Sequence, residues 1–191
     1  IVLNGALRGS NTLEVTGPTG ASRGVLAISS ASGDFSGTIV IDKNVSVENF
    51  ARFNGTTATN TGKTLGSATI KFAAIAGGSG SSVDGMLDLR DAGTGNNQTF
   101  NYGNNVDMSS TGGTIWVGRN TGATTASTGG TFVLGNLALG AGNTLTQSAD
   151  NAYSLAFSGA TTLGGDATFS VATNLTLGGG ITGGGNLTKN G

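Results

Sequence analysis

The chain has 191 residues, enough for one domain or for part of a longer array. Nine Lys and Arg stand against ten Asp and Glu, so no basic field gathers nucleic acid or anionic lipid. Cysteine and histidine are both absent. Their absence excludes a disulfide framework, thiolate metal sites and a Ser-His-Asp mechanism, and removes the commonest general base.

Charged residues make up 10% of the chain, against roughly 25% in an ordinary soluble domain, and polarity comes instead from Thr, Ser and Asn. Hydrophobic content of 36% argues against plain disorder. The apolar runs are only a few residues long, too short to span a bilayer as a helix. The first residues, IVLNGALRG, have no basic segment followed by a long apolar core and do not read as a signal peptide. The expectation is a chain processed or cut from something larger.

In chain order, short clusters alternate apolar and polar at period two, the mark of half-buried strands. They are TLEV (12–15), GVLAIS (24–29), GTIVID (37–42), VSVENF (45–50), ATIKFAAI (68–75), GMLDLR (85–90), TIWVG (114–118) and TFVLG (131–135). Gly, Asn, Ser and Thr separate them. The stretch 45–53 comes nearest to a helical period, but its β-branched and aromatic content suits a strand as well.

Repetition is clearest toward the C-terminus. NLALG (136–140), SLAFS (154–158) and NLTLG (174–178) superimpose, with leading leucines Leu137, Leu155 and Leu175 spaced 18 and 20 apart. Leu139, Phe157 and Leu177 follow at the same spacings. Leu145, Leu163 and Ile181 recur at 18, and so do Phe169 and Leu187. Coils of about 18–20 residues with two or three short strands each predict an all-β chain, a right-handed parallel β-helix. One coil cannot bury its own apolar face, so stacking is the source of stability. The register predicts Leu137 and Leu139 inward with Ala138 outward, and Leu155, Phe157, Leu175 and Leu177 stacked on them as core. Ten such coils would make a rod on the order of 50 Å long.

In the final GGGITGGGNLTKNG (178–191), Ile181 and Leu187 keep the coil period, so the glycines fall at corners between strands. A phosphate loop would need a following helix. Residues 1–110 are less regular than 131–191: Leu26, Val47, Phe72 and Leu87 mark unevenly spaced clusters. Loop insertions in one continuous solenoid over 1–191 account for this; a separate β domain over 1–110 is the alternative.

Gly185, Leu187, Lys189 and Gly191 carry a G-x-L-x-K-x-G pattern. Phe35, Ser36, Gly37, Thr38 and Ile39 form an aromatic-Ser-Gly segment leading into a β-branched strand. Both windows resemble the autotransporter-associated β-strand repeat. That resemblance implies a secreted or surface-displayed bacterial passenger region with a right-handed β-helix fold. It implies no catalytic residues.

The densest charge cluster, DGMLDLRD (84–91), offers Asp84, Asp88, Arg90 and Asp91. Carboxylate pairs are what glycoside hydrolysis needs. On a strand Asp88 and Arg90 share a face, and Asp91 points the other way or sits at a corner; an outward ion pair plus a turn aspartate is the plain alternative. GGSGSSVDG (77–85) approaches a calcium-binding nonapeptide, but Ser82 stands where its aspartate belongs and Asp84 comes two positions late. Trp116, Tyr102 and Phe100 suggest an aromatic platform for a sugar or a base, or stacked core aromatics; alternation leaves Trp116 facing opposite to Ile115 and Val117. Asn-x-Ser/Thr sequons at Asn44, Asn54, Asn97, Asn174 and Asn186 suit chance in so Asn- and Thr-rich a chain.

The expectation is an extracellular structural or adhesive solenoid, secreted or at a bacterial cell surface, without catalysis, cofactor or metal. Its candidate ligand surface comprises Asp84, Asp88, Arg90, Asp91 and Trp116, facing a surface glycan or host receptor. No nucleic acid partner and no membrane insertion are expected. Residues 131–191 hold only Asp150, Asp166 and Lys189 as charges and no proline, so the strand edges lack the usual protection. Head-to-tail association of copies, or continuation in a longer chain, follows as the expected partner. The alternative is a carbohydrate-active β-helix of the polysaccharide lyase, hydrolase or phage tailspike type.

Overall fold

The computed structural model describes residues 1–19, 22–30, 32–49, 64–76, 83–91, 95–120 and 127–191. Among them are nineteen strands and no helix. The first ten are β1 (Val2–Leu3), β2 (Thr12–Val15), β3 (Gly24–Ile28), β4 (Thr38–Ile41), β5 (Val45–Asn49), β6 (Thr69–Phe72), β7 (Met86–Asp91), β8 (Thr99–Asn101), β9 (Val106–Met108) and β10 (Gly113–Arg119). The remainder are β11 (Thr131–Leu134), β12 (Leu137–Leu139), β13 (Thr144–Ala149), β14 (Ser154–Phe157), β15 (Thr161–Leu163), β16 (Ala167–Val171), β17 (Leu175–Leu177), β18 (Ile181–Gly183) and β19 (Leu187–Asn190).

The strands form three parallel sheets. Sheet I runs β1-β3-β5-β7-β10-β13-β16-β19, sheet II runs β18-β15-β12-β9-β6-β4-β2, and sheet III runs β17-β14-β11-β8. From β8 onward each coil lays one strand in sheet III, one in II and one in I. The fold is a right-handed parallel β-helix. Eight strands in sheet I, at about 4.8 Å per step, give a stack roughly 34 Å tall. Strands on both sides of residue 110 share sheets I and II, so the same stack carries both halves. The irregularity of the first half has a structural reason: among the described residues, sheet III begins only at β8.

One core of inward side chains runs from Ile28 to Phe169. Leu137 and Leu139 are buried with Ala138 half-buried between them, as the alternation predicts. A polar seam at the corners adds to this core. Asn105 Oδ1 accepts the Asn136 backbone N–H at 2.9 Å, and Asn136 Oδ1 accepts that of Ala160 at 2.8 Å. Each such side chain satisfies a corner N–H of the next coil, where no strand ladder reaches.

The register corrects the repeat reading in detail. Leu155 pairs with Leu175 and Phe157 with Leu177, as expected. Leu137, however, lies in sheet II opposite Thr161, not under Leu155. Leu145 lies in sheet I and pairs with Phe169, whereas Leu163 belongs to sheet II. Leu163 pairs with Gly183 rather than Ile181, and Leu187 with Ala167 rather than Phe169. These last two matches are off by one full pleat, so the facing is kept while the partner is wrong. Only the last coil, Leu155 to Leu175, has the expected length. The steps from Leu145 to Phe169, from Gly113 to Leu145 and from Val47 to Leu87 are each longer than the one before. Leu155 and Phe157 are fully buried, whereas Leu175 and Leu177 are only partly so, because no described coil lies on their far side.

The glycine-rich tail does form corners. A Cβ on Gly185 would run into the Gly165 carbonyl of the preceding coil, and Gly180 holds φ +80. Close approach and positive φ are the two needs that glycine meets and other residues do not.

Candidate functional site

Alternation along β7 separates the charged cluster into two environments. Leu87, Leu89 and Asp91 face the interior; Met86, Asp88 and Arg90 face outward. Asp88 and Arg90 thus share a face and form a bidentate pair. Arg90 Nε donates to both carboxylate oxygens at 2.9 and 3.0 Å, and Nη2 donates to Oδ2 at 2.8 Å. The Asp88 side chain is nonetheless fully shielded, and that of Arg90 is 14% exposed.

Register builds the rest of this outer cluster. Glu48 on β5 and Trp116 on β10 are the neighbours of Asp88 on either side. The Arg90 guanidinium lies 4.0 Å from the Trp116 ring centroid, a cation–π contact. Glu48 is 3% exposed. Burial pushes the Asp88 carboxyl up to about 6; Arg90 pulls against that rise, and the Glu48 carboxyl adds to it. Trp116 is half-buried and faces outward, opposite to Ile115 and Val117, as alternation predicts. One side of its ring is taken by Arg90.

Asp91 belongs to a different site, inside the stack. Its Oδ2 accepts the Tyr153 hydroxyl at 2.6 Å and the Ser127 hydroxyl at 3.3 Å. Close by, Asn49 Nδ2 donates to the Arg90 carbonyl at 2.9 Å and also bonds the Tyr102 hydroxyl. These are buried polar groups satisfied by one another, as a dry interior requires. Burial raises both phenols, Tyr102 to about 12, and Tyr153 is raised also by its bond to Asp91.

The candidate set is therefore not one surface. Asp88, Arg90 and Trp116 come together, Asp91 points to the opposite side of the sheet, and Asp84 precedes β7 with its backbone carbonyl accepting Arg23 Nη2 at 2.9 Å. The aromatic platform is corrected too. Phe100 and Tyr102 are buried, and Phe100 stacks on Phe132 at 4.8 Å between centroids, so these rings are core while Trp116 is outside. Of the nonapeptide GGSGSSVDG, residues 77–82 lie outside the described residues. Among the described residues no group of three or more acidic side chains is placed to hold a metal ion, and no helix is long and apolar enough to cross a membrane. Asn44 is fully buried, holding the Pro18 and Ser22 carbonyls, so it is closed as a glycosylation acceptor; Asn54 lies outside the described residues.

Sequence reasoning missed Glu48, Asn49 and Tyr153. Glu48 was within reach, since Val45 and Val47 set its facing outward. Its pairing with Asp88 was not, because the two strands belong to coils separated by a long stretch of chain. No protein-family model, characterised protein or solved structure matches the chain.

Proposed function

We propose that this chain is a structural or adhesive β-solenoid, a surface passenger or filament-forming scaffold of a bacterial exterior, which spans distance and presents a face without turning over substrate. One observation carries the reading: the two buried carboxylates of the charged cluster are bonded to neighbouring side chains of the stack. Asp88 is engaged by Arg90, and Asp91 by Tyr153 and Ser127. The weak likeness of Gly185–Gly191 and Phe35–Ile39 to the autotransporter-associated repeat points the same way.

The competing carbohydrate-active reading would draw on Glu48 and Asp88, a carboxyl pair that the fold brings together on the outer face. Both are closed to a polymer chain, which weighs against it. Incubation with neutral and acidic polysaccharides separates the two readings. The scaffold predicts binding at most. Release of new chain ends, abolished by Asp88→Asn, would establish the enzyme instead.

The same reading extends to the strand edges. Ile181 and Leu187 are 46% and 42% exposed, and a hollow of about 520 Å³ opens among Phe169, Leu175, Leu177, Leu187 and Lys189. At the other end of the stack Ile1 is 87% exposed. Unpaired edges with apolar side chains recruit further strands, so we infer that strands of a second copy pair with them. Light scattering across concentration tests this: growing, open-ended assemblies support it, and a stable monomer at high micromolar concentration contradicts it.

A further inference from the structure

We propose that the side of Trp116 turned away from Arg90, together with Asp150 and the hydroxyls of β13, forms a subsite for one neutral sugar ring of a β-linked glycan. The inference rests on the adhesive reading above and gives it a ligand chemistry.

The geometry is that of a wall and a floor. β10 lies between β7 and β13 in sheet I. Arg90 reaches the Trp116 ring from β7, with its guanidinium 4.0 Å from the centroid, and so pins one side of the ring. The other side faces β13. There the residue in register with Trp116 is Ser148, small and half-buried. Thr146 and Asp150 stand two positions to either side of it, both half-buried. The ring end and the Asp150 carboxylate converge over Gly118, since a Cβ there would meet both Trp116 Cη2 and Asp150 Oδ1. Oδ1 accepts the Arg119 backbone N–H at 3.0 Å, while Oδ2 has no bond to any described residue. An apolar wall thus stands over two hydroxyls, with an open carboxylate oxygen at one end.

Each part matches a pyranose. Its C–H faces stack on an indole, and its equatorial hydroxyls both donate and accept, as a rim of hydroxyls and a carboxylate requires. Charge then selects among flat ligands. A phosphodiester or a uronate would bring a negative charge against Asp150, and Arg90, the cation on the ring, is already bonded to both oxygens of Asp88. A nucleic acid base would stack equally well, but its strand is held through phosphates, which need a basic groove. On the next coils the outward residues Thr168, Ser170, Thr188 and Asn190 carry no charge, so a neutral chain can continue past the subsite. One stacked ring gives weak binding, which many copies on one surface multiply.

The test is titration of the whole chain with cellohexaose, followed by calorimetry and by the emission of Trp116, the chain's sole tryptophan. The expected result is a saturable change in emission with the hexaose left at full length. Trp116→Ala should weaken binding in the calorimeter about tenfold, the loss of one stacking contact. Ser148→Leu fills the floor, keeps the tryptophan and should weaken binding similarly; it decides the matter should Trp116→Ala fail to fold. No saturable response, binding that survives Ser148→Leu unchanged, or an equal response to a thymidine hexanucleotide or to hexagalacturonate overturns the subsite and leaves the scaffold reading standing. Shortening of the hexaose by the parent chain overturns the scaffold reading, and the proposed subsite with it.

Discussion

The hydroxyl of Tyr153 donates to the Asp91 carboxylate at 2.6 Å across 62 residues of sequence, inside the coil stack. Ser127 touches both groups, at 3.3 Å from Asp91 and 2.9 Å from Tyr153. Tyr153→Phe removes the shortest of these bonds and leaves Asp91 a buried acceptor with one donor fewer. The expected loss is about 1–3 kcal/mol, read as a lower midpoint in urea. An unchanged midpoint would show that Asp91 is satisfied without Tyr153.

The chain has only two tyrosines, and burial raises both phenols, that of Tyr102 to about 12. A raised folded value favours the neutral phenol. Its stabilising effect is complete below about 10, the ordinary value, and is lost as pH climbs through the folded one. Ultraviolet titration should therefore show little phenolate at pH 10 while the chain stays folded, then a steep rise as unfolding exposes both rings. Half-ionisation near pH 10 with the β signal in circular dichroism intact would contradict the buried placement.

Leu155 and Leu175 are register partners that differ in depth. Leu155 is fully covered, whereas Leu175 packs against the core from the last coil. Leu155→Ala should cost about 2–5 kcal/mol, the range for a buried leucine. Leu175→Ala should cost roughly half as much, in proportion to the apolar area it hides. Equal losses would mean that a further coil covers Leu175 in solution, and so would support the proposed association.

Gly118 lies beneath the outer aromatic. A Cβ there would meet the Trp116 ring and the Asp150 carboxylate, whose Oδ1 accepts the Arg119 backbone N–H at 3.0 Å. Gly118→Ala should lower stability by about 1–3 kcal/mol through this overpacking. It should also lift Trp116, the chain's sole tryptophan, away from Arg90. Its emission should shift to longer wavelength; unchanged emission and midpoint would show that the ring does not lie over Gly118.

Much of this architecture is legible in local alternation. TIVI, MLDLR and TIWVG each show their facing without help, and every strand-like cluster read from residues 12 to 135 contains a strand. Alternation also splits DLRD correctly, with Asp88 and Arg90 outside and Asp91 inside. What alternation leaves out is the partner. Leu145 matches Leu163 as well as it matches Phe169, because strand facing repeats at every second position and the true offset depends on how much chain each corner takes up. Phe100 and Tyr102 resemble a surface platform for the same reason: a ring at an inward position and a ring at an outward one look alike until the strand is placed. The Glu48–Asp88 pair and the Asp91–Tyr153 bond lie farther still from local reading, since each joins coils far apart in the sequence.

The parallel stack, with Leu155 to Leu175 as its last coil, is the central claim. Engineered cysteine pairs test it most directly, because the chain has no cysteine of its own. Thr168 and Thr188 are outward register partners on β16 and β19, a placement within disulfide reach. Ser170 and Thr188 would be partners only in the shorter register that sets Leu187 opposite Phe169. Under mild oxidation the account predicts rapid cross-linking of Thr168→Cys with Thr188→Cys and little of Ser170→Cys with Thr188→Cys. Preferential cross-linking of the second pair, or of neither in the folded chain, would contradict it.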